Sequence, residues 1–118
     1  MKRTYKGSCQ CGAVRYEADA DIQEVVVCNC SRCRRLGLML AFVPPEDFRL
    51  LSGADAVKKY QFNKHVIDHL FCSTCGVQTY ARGRVPKTGA EMIALNVRCF
   101  EGVDPDSFPV KKVDGARF

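Results

Sequence analysis

Eight cysteines in a chain of 118 residues are the residues of this sequence best suited to chemistry. They form three clusters and one single residue, namely Cys9 and Cys11; Cys28, Cys30 and Cys33; Cys72 and Cys75; and Cys99. The N-terminus has no apolar stretch after its basic residues, so we expect no secretory signal and a cytoplasmic location. Because a reducing compartment keeps thiols reduced, the clusters favour metal binding over disulfides.

The first and last clusters have the form of two zinc knuckles. They read C-Q-C-G at residues 9–12 and C-S-T-C-G at residues 72–76. In each, the closing glycine tolerates the positive φ that lets backbone N–H groups turn towards a bound sulfur. Two cysteine pairs from distant parts of a chain form a tetrahedral zinc site. We therefore predict a structural zinc on Cys9, Cys11, Cys72 and Cys75; the alternative is four ordinary buried cysteines.

The middle cluster predicts a different kind of site. Cys28, Cys30 and Cys33 place three thiols within six residues, and no glycine follows the last one. Three protein ligands leave one tetrahedral position open for water or a thiolate, as in catalytic zinc sites. We predict a second zinc here that is labile or catalytic. Two alternatives are a closed site with Cys99 as the fourth ligand and a reduced cluster that holds no metal.

Basic residues surround the middle cluster and favour thiolates there. The candidates for binding substrate carboxylates are Arg32, Arg34, Arg35 and Arg98, although solvated surface charge is the ordinary role of any one of them. We expect Cys99 to be a buried core cysteine, since cysteine is among the most buried residue types. His65 and His69 are not expected to share a metal, because on a strand they lie about 13 Å apart.

Length and composition fit one globular domain over residues 1–118. The longest apolar run, residues 36–43, is too short to span a membrane. The formal net charge is +5, and seven thiolates with two Zn²⁺ would reduce it to +2. This weak charge, with no aromatic residues among the clustered arginines, argues against nucleic acid as a partner. The sequence does not indicate an oligomeric state.

The elements that must position these cysteines are mostly short strands. Alternating or β-branched stretches predict strands at residues 4–7, 13–17, 25–27, 38–43, 58–62, 65–71, 77–82 and 93–100. Residues 45–48 predict one helical turn, and a loop-like tail begins at residue 104. No long helical period is present. We expect a small, mainly β fold that zinc staples together.

The order C-x-C-G, C-x-C-x-x-C and F-C-x-x-C-G resembles the glutathione-dependent formaldehyde-activating enzyme family, which includes relatives of centromere protein V. Further matching pieces are A-F-V-P at residues 41–44 and N-V-R-C at residues 96–99. The resemblance implies a β-tent zinc fold, with one zinc on the Cys9, Cys11, Cys72 and Cys75 set and another on Cys28, Cys30 and Cys33. Asn29 stands where the family motif usually has His, so no proton transfer is expected from that residue.

The resemblance also implies a reaction. The family joins formaldehyde to the thiol of glutathione to give S-hydroxymethylglutathione and is classed as a carbon–sulfur lyase. We expect an enzyme that acts on glutathione or a similar thiol and a small aldehyde or other electrophile. The competing hypotheses are a zinc-stapled module that binds protein or nucleic acid, and a redox or metal-buffering role for the middle thiols.

Overall fold

The computed structural model of the chain describes residues 1–117 and consists largely of short β-strands. In chain order the strands are β1 Arg3–Ser8, β2 Arg15–Ala20, β3 Val25–Cys28, β4 Leu40–Val43, β5 Phe48–Ser52, β6 Val57–Tyr60, β7 Asp68–Cys72, β8 Gln78–Arg84, β9 Glu91–Asn96 and β10 Val110–Val113. One α-helix, α1 Ser31–Leu36, interrupts them. Short 3-10 turns occupy Pro45–Asp47, Val97–Cys99, Pro105–Ser107 and Gly115–Arg117. The prediction of a mainly β fold without long helices is confirmed.

The strands form two sheets. The smaller sheet has the order β1-β2-β5, and the larger has the order β10-β3-β4-β9-β8-β7-β6. All neighbouring strands are antiparallel except β10 and β3, which are parallel. The two edge strands of the larger sheet, β6 and β10, each carry an exposed Lys-Lys pair. Parallel pairing brings the far end of the chain beside the strand that leads into the middle cysteine cluster.

The main core lies between the two sheets. Tyr16 of β2 and Phe48 of β5 pack against Tyr80 of β8, with ring centroids 6.1 Å and 4.7 Å from the Tyr80 ring. Fully buried Ile93 and Leu95 of β9 continue the core. In β2, buried residues alternate with charged ones, so that one face of this strand packs into the core. The contact between the sheets brings the end of β1, which precedes Cys9, close to the end of β7 at Cys72.

Several strand predictions were wrong in their bounds, including those for residues 65–71 and 93–100. A strand was expected from residue 65, but β7 begins at Asp68, because Asn63 and His65 adopt φ of 57° and 58° and form a turn. A strand was also expected to run to residue 100. The structure ends β9 at Asn96, whose side chain accepts a hydrogen bond from the Arg98 N–H and starts a 3-10 turn that contains Cys99.

One α-helix and two strands were not predicted. The helix α1 has only six residues, too few to show a helical period, and it is defined by its caps. Its N-cap is the thiol of Cys30, and its C-cap is Gly37 at φ 68°. The strands β5 and β10 were also missed, the second within the region expected to be a loop-like tail.

Among residues 1–117 no helix is long and apolar enough to cross a membrane. The helix α1 spans fewer than two turns, and the other helical segments are 3-10 turns of three residues each.

Candidate metal and thiol sites

The first and third cysteine clusters come together as one group. The Sγ atoms of Cys9, Cys11, Cys72 and Cys75 all lie within 4.8 Å of one another. The Sγ of Cys11 is 3.7 Å from both the Cys9 Sγ and the Cys72 Sγ. Sulfurs at the corners of a tetrahedron around zinc, each about 2.3 Å from the ion, stand just under 4 Å apart. The group therefore fits a four-coordinate metal.

Backbone geometry makes each half of this group a knuckle. In the first, the Cys9 N–H bonds to the Val14 carbonyl, and the Gly12 N–H bonds back to the Cys9 carbonyl. In the second, Cys72 and Gly76 make the corresponding bonds, with Val77 as the carbonyl partner. The closing glycines have φ of 85° and 82°, as their position in the sequence predicted.

Backbone N–H groups in the knuckles also point at sulfur. The Val14 N–H donates to the Cys9 Sγ at 3.3 Å, and the Thr74 N–H donates to the Cys72 Sγ at 3.4 Å. For Cys75, burial opposes ionisation, but N–H groups of Val77 and Cys11 outweigh it and lower the pKa of this thiol to about 6. Such donors stabilise thiolates, the form in which cysteine binds metal.

The four-sulfur group connects the two sheets. Cys9 and Cys11 follow β1 of the smaller sheet, whereas Cys72 ends β7 of the larger one. A small apolar cluster surrounds the buried sulfurs, with fully buried Val14 at its centre. A metal held here would cross-link the sheets close to their shared core.

The middle cluster is a second group of three thiols. The Sγ atoms of Cys28, Cys30 and Cys33 lie within 4.8 Å of one another, and no other Cys, His, Asp or Glu of the described chain joins them. Cys28 is the last residue of β3, Cys30 caps α1, and Cys33 lies in its first turn. The Cys30 N–H donates to the Cys28 Sγ at 3.4 Å, and the Cys33 N–H donates to the Cys30 Sγ at 3.3 Å.

The three thiols differ in how easily they ionise. Burial and then the neighbouring sulfurs raise the pKa of Cys33 above the ordinary range of a thiol. Burial opposes ionisation of Cys30 too, but N–H groups of Cys33 and Arg32 outweigh it and lower the pKa of Cys30. A bound cation is the kind of charge that would hold all three as thiolates. The donor set therefore fits a soft divalent metal with three protein ligands.

A cavity of about 440 Å³ opens beside the middle cluster. Its lining includes Cys28 and Cys33 together with the cationic side chains of Arg34 and Lys112. Lys112 belongs to β10, so sequence reasoning that missed this strand could not place the lysine at the site. The signal available was the V-K-K-V pattern at residues 110–113, which is typical of an edge strand.

The other basic candidates contact protein groups instead. Arg32 donates to the Gln78 Oε1 at 3.0 Å, and its guanidinium lies 4.8 Å from the centroid of the Tyr60 ring. Arg35 donates to the carbonyl of Ser31 and Arg98 to the carbonyl of Gly37. Of the four predicted arginines, Arg34 is therefore the one that lines the cavity of the middle cluster.

Cys99 does not join the middle cluster, so the structure does not support the alternative in which it supplies a fourth ligand there. It is partly rather than fully buried, which corrects the expectation of a core cysteine. Its thiol donates to the Gln78 carbonyl at 3.9 Å, and it lines a different cavity, of about 520 Å³, together with Cys9 and Cys11. Burial raises the pKa of Cys99 to about 12, with smaller contributions from Cys9 and Cys75.

The two histidines occupy different environments, and neither joins a metal-binding group within residues 1–117. His65 is exposed in the turn before β7, whereas His69 is buried in β7 beneath the Phe62 ring.

The chain was compared with solved structures and with models of protein families. The chain is similar to a solved protein described only as a Rhodobacter sphaeroides protein, at 33% sequence identity and a TM-score of 0.77. The match covers 90% of this chain and 99% of the other. The family model described as glutathione-dependent formaldehyde-activating enzyme matches residues 4–112, which include every cysteine. The chain therefore belongs to the glutathione-dependent formaldehyde-activating enzyme family.

Proposed function

We propose that this protein is a zinc-dependent enzyme of the carbon–sulfur lyase type. Its substrates would be glutathione or a similar thiol and a small aldehyde such as formaldehyde. The observation that carries the proposal is the group of three thiols, Cys28, Cys30 and Cys33, which borders a cavity lined in part by Arg34 and Lys112. Family membership supports the same class of chemistry.

We assign different tasks to the two thiol groups. The four sulfurs of the first group supply a complete tetrahedral shell and connect two sheets, which suits a structural zinc. The three sulfurs of the second group leave one coordination position for an external ligand. A zinc bound there would lower the pKa of a substrate thiol and so supply a thiolate near neutral pH.

The residues of the cavity suit a thiol that carries carboxylates. Arg34 and Lys112 both line it, and both are exposed enough to meet a charged ligand. Asp114 also lines the cavity, but its carboxylate accepts a hydrogen bond from Asn29 and forms an ion pair with Arg117. Glutathione has two carboxylates, and guanidinium and ammonium groups bind carboxylates through charge-assisted hydrogen bonds.

The proposed bond change is simple addition. The sulfur of the thiolate bonds to the aldehyde carbon, and the carbonyl oxygen takes up a proton to become a hydroxyl group. The reverse reaction breaks the carbon–sulfur bond and returns the thiol and the aldehyde. The proposed chemistry needs reduced thiols, which a compartment such as the cytoplasm supplies.

Thiol binding tests the proposal more cleanly than rate, because thiols add to formaldehyde without a catalyst. We would titrate glutathione into the zinc-loaded protein by calorimetry, in two buffers of different ionisation enthalpy. Wild type is expected to bind and to release close to one proton, since the thiol must ionise. Cys30→Ala should lose this binding, whereas Cys99→Ala, which changes a cysteine outside the cluster, should retain it.

Two results would contradict the proposal. One is equal, weak binding by wild type and Cys30→Ala, and the other is heat that does not depend on the buffer. Either result would leave the zinc-stapled binding module as the leading hypothesis. In that case the exposed side chain of Phe42 on β4, which is 49% accessible, is the first surface residue to probe for a protein contact.

A further inference from the structure

The side chain of Asn29 connects the middle cluster to the far end of the chain. Its Nδ2 donates to the Asp114 Oδ1 at 3.0 Å, and its Oδ1 accepts from the Ala116 N–H at 3.0 Å. Its own backbone N–H donates to the Val113 carbonyl at 3.2 Å. Asn29 lies between two of the three clustered cysteines, so these bonds hold residues 113–116 directly against the thiol site.

Gly115 brings the backbone of this segment against the cluster. A Cβ on this residue would overlap the Cys28 Sγ, and it would also lie 3.5 Å from the Cys30 Cβ. Only glycine therefore lets the backbone approach the sulfur this closely. Val113 and Asp114, which precede it, line the cavity of about 440 Å³ beside the same sulfurs.

Few other interactions hold this segment in place. Pairing of β10 with β3 ends at the Val113–Cys28 register. Beyond that point Asp114 is exposed, and its further partner is Arg117 at 2.8 Å. A partly exposed segment held by a few hydrogen bonds opens locally at low free-energy cost, well below that of global unfolding. The amide of Asn29 is thus its main attachment to the cluster.

We propose that residues 113–116 form a strap over the middle thiol cluster and that Asn29 fastens it. The strap limits how fast reagents, chelators and external thiols reach Cys28. Asn29 is a positioning residue, since it acts through the strap and not on a reacting atom. The proposal shares the middle cluster with the proposed function, but the accessibility of Cys28 can be measured without assuming any reaction.

The test measures alkylation of each cysteine by mass spectrometry. The full chain is first treated with a mild chelator, so that the middle thiols are free, and is then exposed to iodoacetamide. Asn29→Ala removes two hydrogen bonds of the strap, and we expect alkylation of Cys28 to become faster by on the order of ten-fold. Gly115→Ala leaves Asn29 in place but displaces the strap from the sulfur, and it should have the same selective effect.

The matched control is Asp104→Ala. Asp104 also accepts a backbone hydrogen bond in the C-terminal region, from the Asp106 N–H at 2.9 Å, but it does not touch the cluster. We expect this variant to leave the alkylation rate of Cys28 unchanged. If Asp104→Ala matches Asn29→Ala, or if Asn29→Ala speeds alkylation of the four-sulfur group equally, the effect is general loosening and the proposal is wrong. Unchanged Cys28 reactivity in both strap variants would also overturn it.

A spectroscopic measurement separates the positioning role from a loss of stability. With Co²⁺ in the middle site, the thiolate-to-cobalt absorption reports directly on the metal's ligands. Added mercaptoethanol should change this absorption faster in Asn29→Ala than in wild type or in Asp104→Ala. Equal rates in the three proteins would show that the strap does not control access.

Discussion

Cys72 is the most buried sulfur of the four-sulfur group, with no accessible surface, and it lies where the two sheets meet. Replacing it with serine removes one of four proposed ligands and leaves a hydroxyl group in an apolar cluster. We expect Cys72→Ser to yield little folded protein, because metal-binding free energy is folding free energy in small zinc-stapled domains. Melting curves and zinc content check this.

Cys99→Ser is the matched control, since Cys99 is near the same group but not part of it. It should retain the zinc content of wild type and melt within a few degrees of it. A Cys72→Ser protein with wild-type melting and metal content would contradict a structural metal on these sulfurs.

His69 gives the protein a pH dependence that does not involve the thiols. Burial, and then the charge of Arg32, lower the pKa of His69 from 6.5 to about 4. The unfolded chain therefore binds more protons below pH 6.5, so this contribution to stability is complete above that pH and is lost as the pH falls towards 4. Between pH 7.5 and 5.5 we expect wild type to lose ~1 kcal/mol more unfolding free energy than His69→Phe.

His65→Gln is the control for this measurement, because His65 is exposed in a turn. Urea unfolding at the two pH values should show wild-type behaviour in this variant. If His69→Phe and wild type lose the same free energy on acidification, His69 is not held neutral in the folded protein.

Residue types and spacing predicted both thiol groups. The cysteines of each knuckle lie close together in the sequence, and few residue types can act as metal ligands. The same reasoning could not find the role of Asn29. Its partners lie 85 and 87 positions away, and no local pattern records such contacts. From the sequence, Asn29 was only a position where the family's titratable His is missing. In the structure its side chain makes two hydrogen bonds that hold the C-terminal segment.

Strand β1 depends on a glycine that faces an aromatic ring. Gly7 pairs with Tyr16 of β2, and a Cβ on Gly7 would overlap the Tyr16 ring. Because Tyr16 is fully buried between the sheets, the ring has no free space to move into. We expect Gly7→Ala to lower the unfolding free energy by about 1–3 kcal/mol, measured by urea titration.

Gly83→Ala in β8 provides the comparison. There a Cβ would lie 3.4 Å from the Ile67 Cγ1, an ordinary contact, so the change should be nearly neutral. Equal stability losses in the two variants would point to strand propensity and not to the Tyr16 ring as the cause.

Alternation and β-branched runs predicted most of the strands, because a strand with one buried face carries its period in its own residues. The helix α1 was missed because its stability comes from caps and thiols instead of a repeating apolar face. Strand β10 was missed because an exposed edge strand has little apolar signal and its partner β3 lies at the other end of the sequence. The helix α1 and strand β10 are both parts of the middle site.

The two thiol groups should lose metal at different stages. The first has four sulfurs and joins two sheets, whereas the second has three and opens on a cavity. We expect two zinc ions per chain, of which mild chelation removes about one while the fold remains intact. Metal analysis and circular dichroism on the same samples check this, and loss of both metals in one step with unfolding would contradict an open second site.

The lysine pairs on β6 and β10 also have a consequence for aggregation. Both edges of the larger sheet present unpaired backbone groups that could extend the sheet into another molecule. If two copies met at like edges, Lys58 and Lys59 or Lys111 and Lys112 would face the same lysines of the other copy. Like charges that face each other destabilise such pairing. The lysine pairs therefore oppose edge-to-edge aggregation at both edges of this sheet.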